Sequence, residues 1–131
     1  IKGINEDEYV IPGTINSDNG GKDGDINLIQ IRDEGSYVTS NEYVVSKVGG
    51  EEGVSITHSG DGNYVVVGDN DGSRSGIYKV SPTGTLIWSN SWDGKVTKII
   101  KSNDGNYHFL YHRPTKTYYC QYDNAYHAIQ F

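Results

Sequence analysis

Carboxylates gather at two places in this chain. Asp18, Asp23 and Asp25 fall within residues 18–25, and Asp69 and Asp71 within Asp69-Asn-Asp-Gly72. Close carboxylates joined by backbone carbonyls are the ligands Ca²⁺ takes. No cofactor is expected; if an ion binds, it is Ca²⁺, with Asp18, Asp23, Asp25, Asp69 and Asp71 as its ligands. The EF-hand pattern fails, because position 12 counted from Asp69 is Val80 and not Glu. Asx turns call for the same residues with no ion present.

The histidines are His58, His108, His112 and His127. In an extended strand His108 and His112 share one side but stand about 13 Å apart, too far for one metal. No His-Glu-x-x-His, Cys-x-x-Cys or Gly-x-Ser-x-Gly sequence occurs, so no local motif points to an enzyme. Cys120 is the single cysteine, which excludes an intramolecular disulfide, and its strand setting suits a buried, inert thiol. Aromatic density is the stronger surface signal. Trp88, Trp92, Tyr118, Tyr122 and Tyr126 crowd the C-terminal third, with Tyr111, Tyr119 and several Asn and Asp nearby. Sugar-binding sites pair aromatic plates with such hydrogen-bonding groups. The same residues are also good strand formers and pack well between sheets.

The elements that must position these residues are strands. Ser59-Gly-Asp-Gly-Asn-Tyr-Val-Val-Val-Gly68 returns 43 residues later as Ser102-Asn-Asp-Gly-Asn-Tyr-His-Phe-Leu110, and a looser copy reads Asp7-Glu-Tyr-Val-Ile-Pro-Gly13. A period near this length marks a repeat architecture. Four strand positions recur in order. The first is 54–57 and 96–100, with a weak candidate in 1–5. The second is 8–11, 64–67 and 107–111. The third is 26–31, 77–80 and 118–122, and the fourth is 37–40, 85–89 and 126–131. Turns at 32–35, 81–84 and 123–125 separate the last two, with Gly35, Gly84 and Asn124 where positive φ is needed. Residues 14–25 and 68–76 read as longer polar loops. Residues 1–131 thus form a single all-β domain of about three four-stranded antiparallel repeats, near 1–49, 50–94 and 95–131.

Composition agrees. Seventeen glycines, eleven tyrosines and alanine only at 125 and 128 suit strands and turns, not helices. The net charge of −6, without any Lys/Arg cluster, excludes nucleic acid as a partner. No apolar run is long enough to insert into a membrane. The absence of methionine, even at position 1, is expected of a processed chain or of a piece of a longer one. The second strand of each repeat adds a packing clue. Tyr64-Val-Val-Val67 and Phe109-Leu-Tyr111 are apolar on both faces, as where four-stranded sheets stack face to face.

The repeat resembles the propeller repeats of secreted bacterial and archaeal surface proteins. Asp61-Gly-Asn-Tyr-Val-Val-Val-Gly68, Gly76-Ile-Tyr-Lys-Val80, Gly84-Thr-Leu-Ile-Trp88 and Trp92-Asp-Gly94 follow that pattern in order. The first repeat keeps Tyr9-Val-Ile-Pro-Gly13 and Asp25-Ile-Asn-Leu-Ile-Gln-Ile31, while the third has Ala128 in place of the tryptophan. The resemblance implies blade-like sheets and an extracellular or cell-surface setting, and brings no catalytic set. Propellers need 4–8 blades, so three blades imply completion by other copies of the chain or by the remainder of a longer one. The rival is a β-trefoil, which closes with three units of this kind. Bulb-type β-prism lectins echo Asp61-Gly-Asn63 and Trp88-Ser-Asn90, but their shorter repeats leave no room for the third strand. The expected function is a non-catalytic module for assembly or adhesion through protein contacts, with residues 1–12 and 117–131 meeting neighbouring chain. The alternative is a lectin-like module that binds glycans on the aromatic cluster.

Overall fold

The computed structural model describes residues 2–5, 8–16, 24–33, 38–44, 51–70, 74–122 and 128–130. These residues hold twelve strands and no helix, hence none long and apolar enough to cross a membrane. The first sheet is β1 (Lys2–Asn5), β2 (Glu8–Asn16), β3 (Gly24–Asp33) and β4 (Val38–Val44). The second is β5 (Glu51–His58), β6 (Tyr64–Asn70), β7 (Arg74–Val80) and β8 (Leu86–Asp93), and the third is β9 (Lys95–Lys101), β10 (Tyr107–Arg113), β11 (Lys116–Tyr122) and β12 (Ala128–Gln130). Each sheet is an antiparallel meander in which chain neighbours are sheet neighbours. The all-β expectation holds, and the weak opening strand of the first repeat is present as β1.

Two stretches expected as loops, 14–25 and 68–76, are strand at both ends. β2 runs on to Asn16 and β3 starts at Gly24, while β6 runs to Asn70 and β7 starts at Arg74. The reason is visible in β7. Ser75 and Gly76 look like loop residues, yet both are buried. Gly76 lies under the Tyr78 ring, where no Cβ would fit. Low hydropathy there records close packing, not a surface loop.

The same turn opens β6 and β10. Ser59 N–H donates to Asn63 C=O at 3.0 Å, and Ser102 N–H donates to Asn106 C=O at 3.0 Å. Asp61 Oδ1 accepts from the Ser59 hydroxyl and, at 3.2 Å, from Asn63 N–H. Asp104 Oδ1 repeats this with the Ser102 hydroxyl and Asn106 N–H at 3.0 Å. Gly62 and Gly105 both sit at φ 86, a region that glycine enters without a Cβ penalty. The two corners therefore share this set of bonds, while their second carboxylate oxygens differ: Asp61 Oδ2 takes Lys79 Nζ and Asp104 Oδ2 takes Asn106 Nδ2. Gly84 also has the expected positive φ of 84, with its N–H donating to Ser81 C=O at 3.0 Å. The corresponding Gly35 and Asn124 lie outside the described residues.

A further match was not anticipated from sequence. The pairing of β5 with β6 slips at Gly53/Ser55, and the pairing of β10 with β9 slips at Leu110/Tyr111, opposite Lys98 and Val96. One extra residue, Val54 or Thr97, stands unpaired at the equivalent point of each first strand. Such bulges re-aim a strand, and both first strands lie against the preceding sheet.

The sheets stack in series. Tyr64, Val66, Tyr78, Val80 and Ile56 of the second sheet pack on Val10, Ile26 and Leu28 of the first. The alternate residues Val65, Val67 and Ile77 pack on Val96, Ile99, Tyr107, Phe109, Tyr111 and Cys120 of the third. β6 is thus covered on both sides, as its unbroken apolar run requires. Val65, Val66 and Val67 are each 0% exposed. Full burial of one such side chain contributes about 1.5–3 kcal/mol, against about 1 kcal/mol net for a neutral hydrogen bond. Apolar contact therefore holds the stack, and polar contacts set its register. Between the first and third sheets no strand pair makes an extended contact among the described residues.

Candidate functional site

The polar contacts of the second seam come from residues that a motif search passes over. Ser75 Oγ accepts from Val96 N–H of the third sheet at 2.9 Å and donates to Asp69 Oδ1 at 3.0 Å. The other oxygen of Asp69 takes Lys95 Nζ at 2.8 Å. Lower in the seam, Ser55 Oγ accepts from Ile99 N–H at 3.3 Å. At the turn end, Ser59 C=O accepts from Lys101 Nζ at 2.8 Å and from the Tyr107 hydroxyl at 3.3 Å. Burial pushes the Tyr107 phenol up to about 12, so it stays a donor. Replacing Ser75 by alanine strands the buried Val96 N–H, and a loss of about 1–3 kcal/mol is expected in urea unfolding. Ser75→Thr, which keeps the hydroxyl, should recover part of that loss.

Asp61 ties the repeated turn to its own sheet. Its Oδ2 accepts from Lys79 Nζ at 2.6 Å, and the Lys79 side chain is only 8% exposed. The Lys79 bond first, then the Ser59 hydroxyl, hold the Asp61 carboxyl far below the usual carboxylate range. A lowered folded-state value stabilises above the unfolded one, near 4, and that contribution drains away as pH falls toward the folded value. Asp61 is half exposed, so solvent screens the pair. Asp61→Asn should cost on the order of 1 kcal/mol at pH 7, and the gap to the parent chain should narrow in denaturation curves taken near pH 2.

Three of the five aromatic residues expected to form a glycan plate, Trp88, Trp92 and Tyr118, pack against this same seam. Trp92 stacks on Phe109 with ring centroids 4.8 Å apart and tilts against Tyr111 at 5.9 Å. Tyr118 stacks on Tyr111 at 4.9 Å, and the Arg113 guanidinium covers Tyr118 at 5.1 Å. Trp88, Trp92 and Tyr118 are all partly buried against the core shared by the second and third sheets. Trp92 Nε1 is buried with no hydrogen-bond partner among the described residues. Tyr122 closes β11, and Tyr126 lies outside the described residues. Cys120 is 5% exposed in the same core, and burial pushes its thiol up to about 11, which suits the inert role expected.

Of the five aspartates expected at an ion, Asp18, Asp23 and Asp71 lie outside the described residues and Asp25 falls in β3. Asp69 is engaged by Ser75 and Lys95 as above. Among the described residues no three His, Cys, Asp or Glu side chains come together in a metal-binding group.

The outer face of the third sheet carries the remaining chemistry. Cross-strand rows there are Ile100–His108–Gln121, Lys98–Leu110–Tyr119 and Lys95–His112–Thr117. Ile100 is 53% exposed, Leu110 46% and Tyr119 40%. With Thr97, Lys98, His108 and Phe109 they line a shallow, largely apolar depression of about 340 Å³. A second, polar groove of about 630 Å³ runs between β5 and β9 past Ser55, His58, Lys98 and Lys101.

Ser102, Asp104 and His108 meet at one edge of this face, a juxtaposition that motif spacing did not flag. Ser102 Oγ lies 2.8 Å from His108 Nε2, and His108 Nδ1 contacts the Tyr119 hydroxyl. The order is not that of a nucleophile, a base and its orienter. In a catalytic set the carboxylate holds the far nitrogen of the base. Here Asp104 instead accepts a hydrogen bond from the Ser102 hydroxyl itself, and the Tyr119 hydroxyl stands behind His108. The Ser102 bond and the Asn106 N–H hold the Asp104 carboxyl below its usual range, which suits a turn cap and not a proton carrier.

Compared with known proteins, the chain matches no family model, no curated relative and no solved structure.

Proposed function

We propose that this chain is a non-catalytic assembly module, a three-blade portion of a propeller-type repeat that serves adhesion at a cell surface or outside the cell through sheet-to-sheet protein contacts. One observation carries the reading. The outer face of the third sheet repeats, row by row, the face of the second sheet that the third sheet covers. Val67 pairs with Ile77 under the third sheet, and Leu110 pairs with Tyr119 in the open. Val65 pairs with Lys79, and His108 with Gln121. Asp69 bonds Ser75, and at the same place His112 Nδ1 and Thr117 Oγ1 lie 2.8 Å apart. A face built like a covered one favours a protein sheet as its occupant. Serial stacking supports blades over a trefoil, in which all three units would meet about one axis. The burial of Trp88, Trp92 and Tyr118 in the seam favours packing over glycan recognition.

Light scattering across a concentration series tests the proposal. The expected result is a mass that rises above the 14.5 kDa of one chain, with no retention on a glycan-coated surface. A single-chain mass throughout, together with sugar-competed retention, would overturn it in favour of the carbohydrate-binding alternative.

A further inference from the structure

We infer that the outer face of the third sheet receives the outer face of the first sheet of a second copy, head to tail, so that two chains close a six-sheet ring. This rests on the assembly reading above and names its partner. The second sheet shows what a receiving face and an incoming face look like when joined. Its incoming face, toward the first sheet, presents Tyr64, Val66, Tyr78 and Val80, paired as Tyr64 with Val80 and Val66 with Tyr78. The first sheet carries the same set on the side away from the second: Tyr9 pairs with Ile31 and Ile11 with Ile29. Tyr9 is 39% exposed, where its counterparts Tyr64 and Tyr107 are 3% and 0%. Ile11, Ile29 and Ile31 are half-buried. One chain therefore bears an incoming apolar face at one end of the stack and a receiving apolar face, around Ile100, Leu110 and Tyr119, at the other.

The charges do not oppose this joining. Among the residues lining the receiving depression Lys98 is the charged one and no carboxylate is present, while the chain as a whole carries −6. The joining is heterologous, because two different surfaces meet, and such contacts either close into rings or grow as open fibres. Stacked four-stranded sheets close at 4–8. Two copies bring six, within that range, whereas three bring more than it allows. Closure at two copies also leaves no apolar end face wet, which an exposed patch of this kind otherwise resists.

The experiment compares the parent chain with Tyr9→Glu, on the incoming face, and Leu110→Lys, on the receiving face. Both positions are exposed, so each variant should keep the parent's circular dichroism and should melt as the parent does at concentrations where the parent is a single chain. The parent is expected to weigh twice 14.5 kDa in sedimentation equilibrium, and each variant alone to associate on the order of 100-fold more weakly. Mixing the two variants should restore a two-chain species, because the intact receiving face of one meets the intact incoming face of the other. If only Leu110→Lys dissociates and the mixture gains nothing, like faces pair with like; the inference falls while the assembly reading stands. Masses that keep growing with concentration would overturn closure at two copies. A parent chain that stays single up to millimolar concentration would sink the inference and the assembly reading together.

Discussion

Phe109→Ala is expected to remove about 3–5 kcal/mol of folding stability, the largest effect of any single truncation in the chain. Phe109 is 3% exposed and sits between Trp92, stacked on it across the seam, and Ile99 and Cys120, paired beside it on either strand. Its loss opens a cavity that β10 cannot close, because Tyr107 and Tyr111 on either side are themselves buried and pinned. A domain of this size has only about 5–15 kcal/mol in hand, so the variant should melt many degrees lower or lose the third sheet's cooperative transition. Phe109→Leu, which refills most of the space, should recover more than half. A loss below about 1 kcal/mol for the alanine variant would mean that the seam is not packed as described; urea unfolding followed by tryptophan fluorescence reads it directly.

Gly94→Ala should be the next most damaging change, at about 2–4 kcal/mol. Gly94 joins β8 to β9 at φ 128, in a region that L side chains rarely adopt. An added Cβ would stand 2.8 Å from the Tyr111 ring and 2.9 Å from His112 C=O, so strain and overlap act together. Backbone carbonyl and packed ring both lack room to retreat. The turn glycine Gly62 offers the control, since its φ is also positive but nothing lies within 4 Å of its missing Cβ. Gly62→Ala should therefore cost only the conformational part, about 1 kcal/mol. Thermal melts of the two variants, compared side by side, separate strain from overlap.

The strands were legible because their signals are local. Tyr64-Val-Val-Val67 is apolar at every position, and only a strand covered on both faces satisfies it. The paired Asp-Gly-Asn corners were legible for the same reason, since Asp61 and Asp104 bond only residues within their own turns and sheets. The seam was not legible. Ser55 and Ser75 act through backbone N–H groups 44 and 21 residues away, and nothing in a serine's neighbours announces such a bond. Ser75 and Gly76 misled in the other direction, as loop-like residues inside a buried strand. The aromatic cluster showed its density but not its direction. Trp88 and Trp92 are the two partly buried positions of an otherwise exposed β8, and which side of that strand faces protein depends on the third sheet. The meeting of His108 with Tyr119 needs the β10–β11 register, which sequence spacing cannot supply.

The stack's serial order has a consequence for how the chain comes apart. With the extended contacts among the described residues passing from each sheet to the next, the free energy resembles that of a short linear array, a sum of unit terms and nearest-neighbour couplings. Each end sheet is held by one coupling and the middle sheet by two. Opening should then begin at an end and travel inward, with β6 the last to exchange its amide protons. Joining a second chain at both ends would give every sheet two couplings and abolish the ends from which fraying starts. On this view a partner's chief effect is on the lifetime of the fold: it removes the weak links without touching the core.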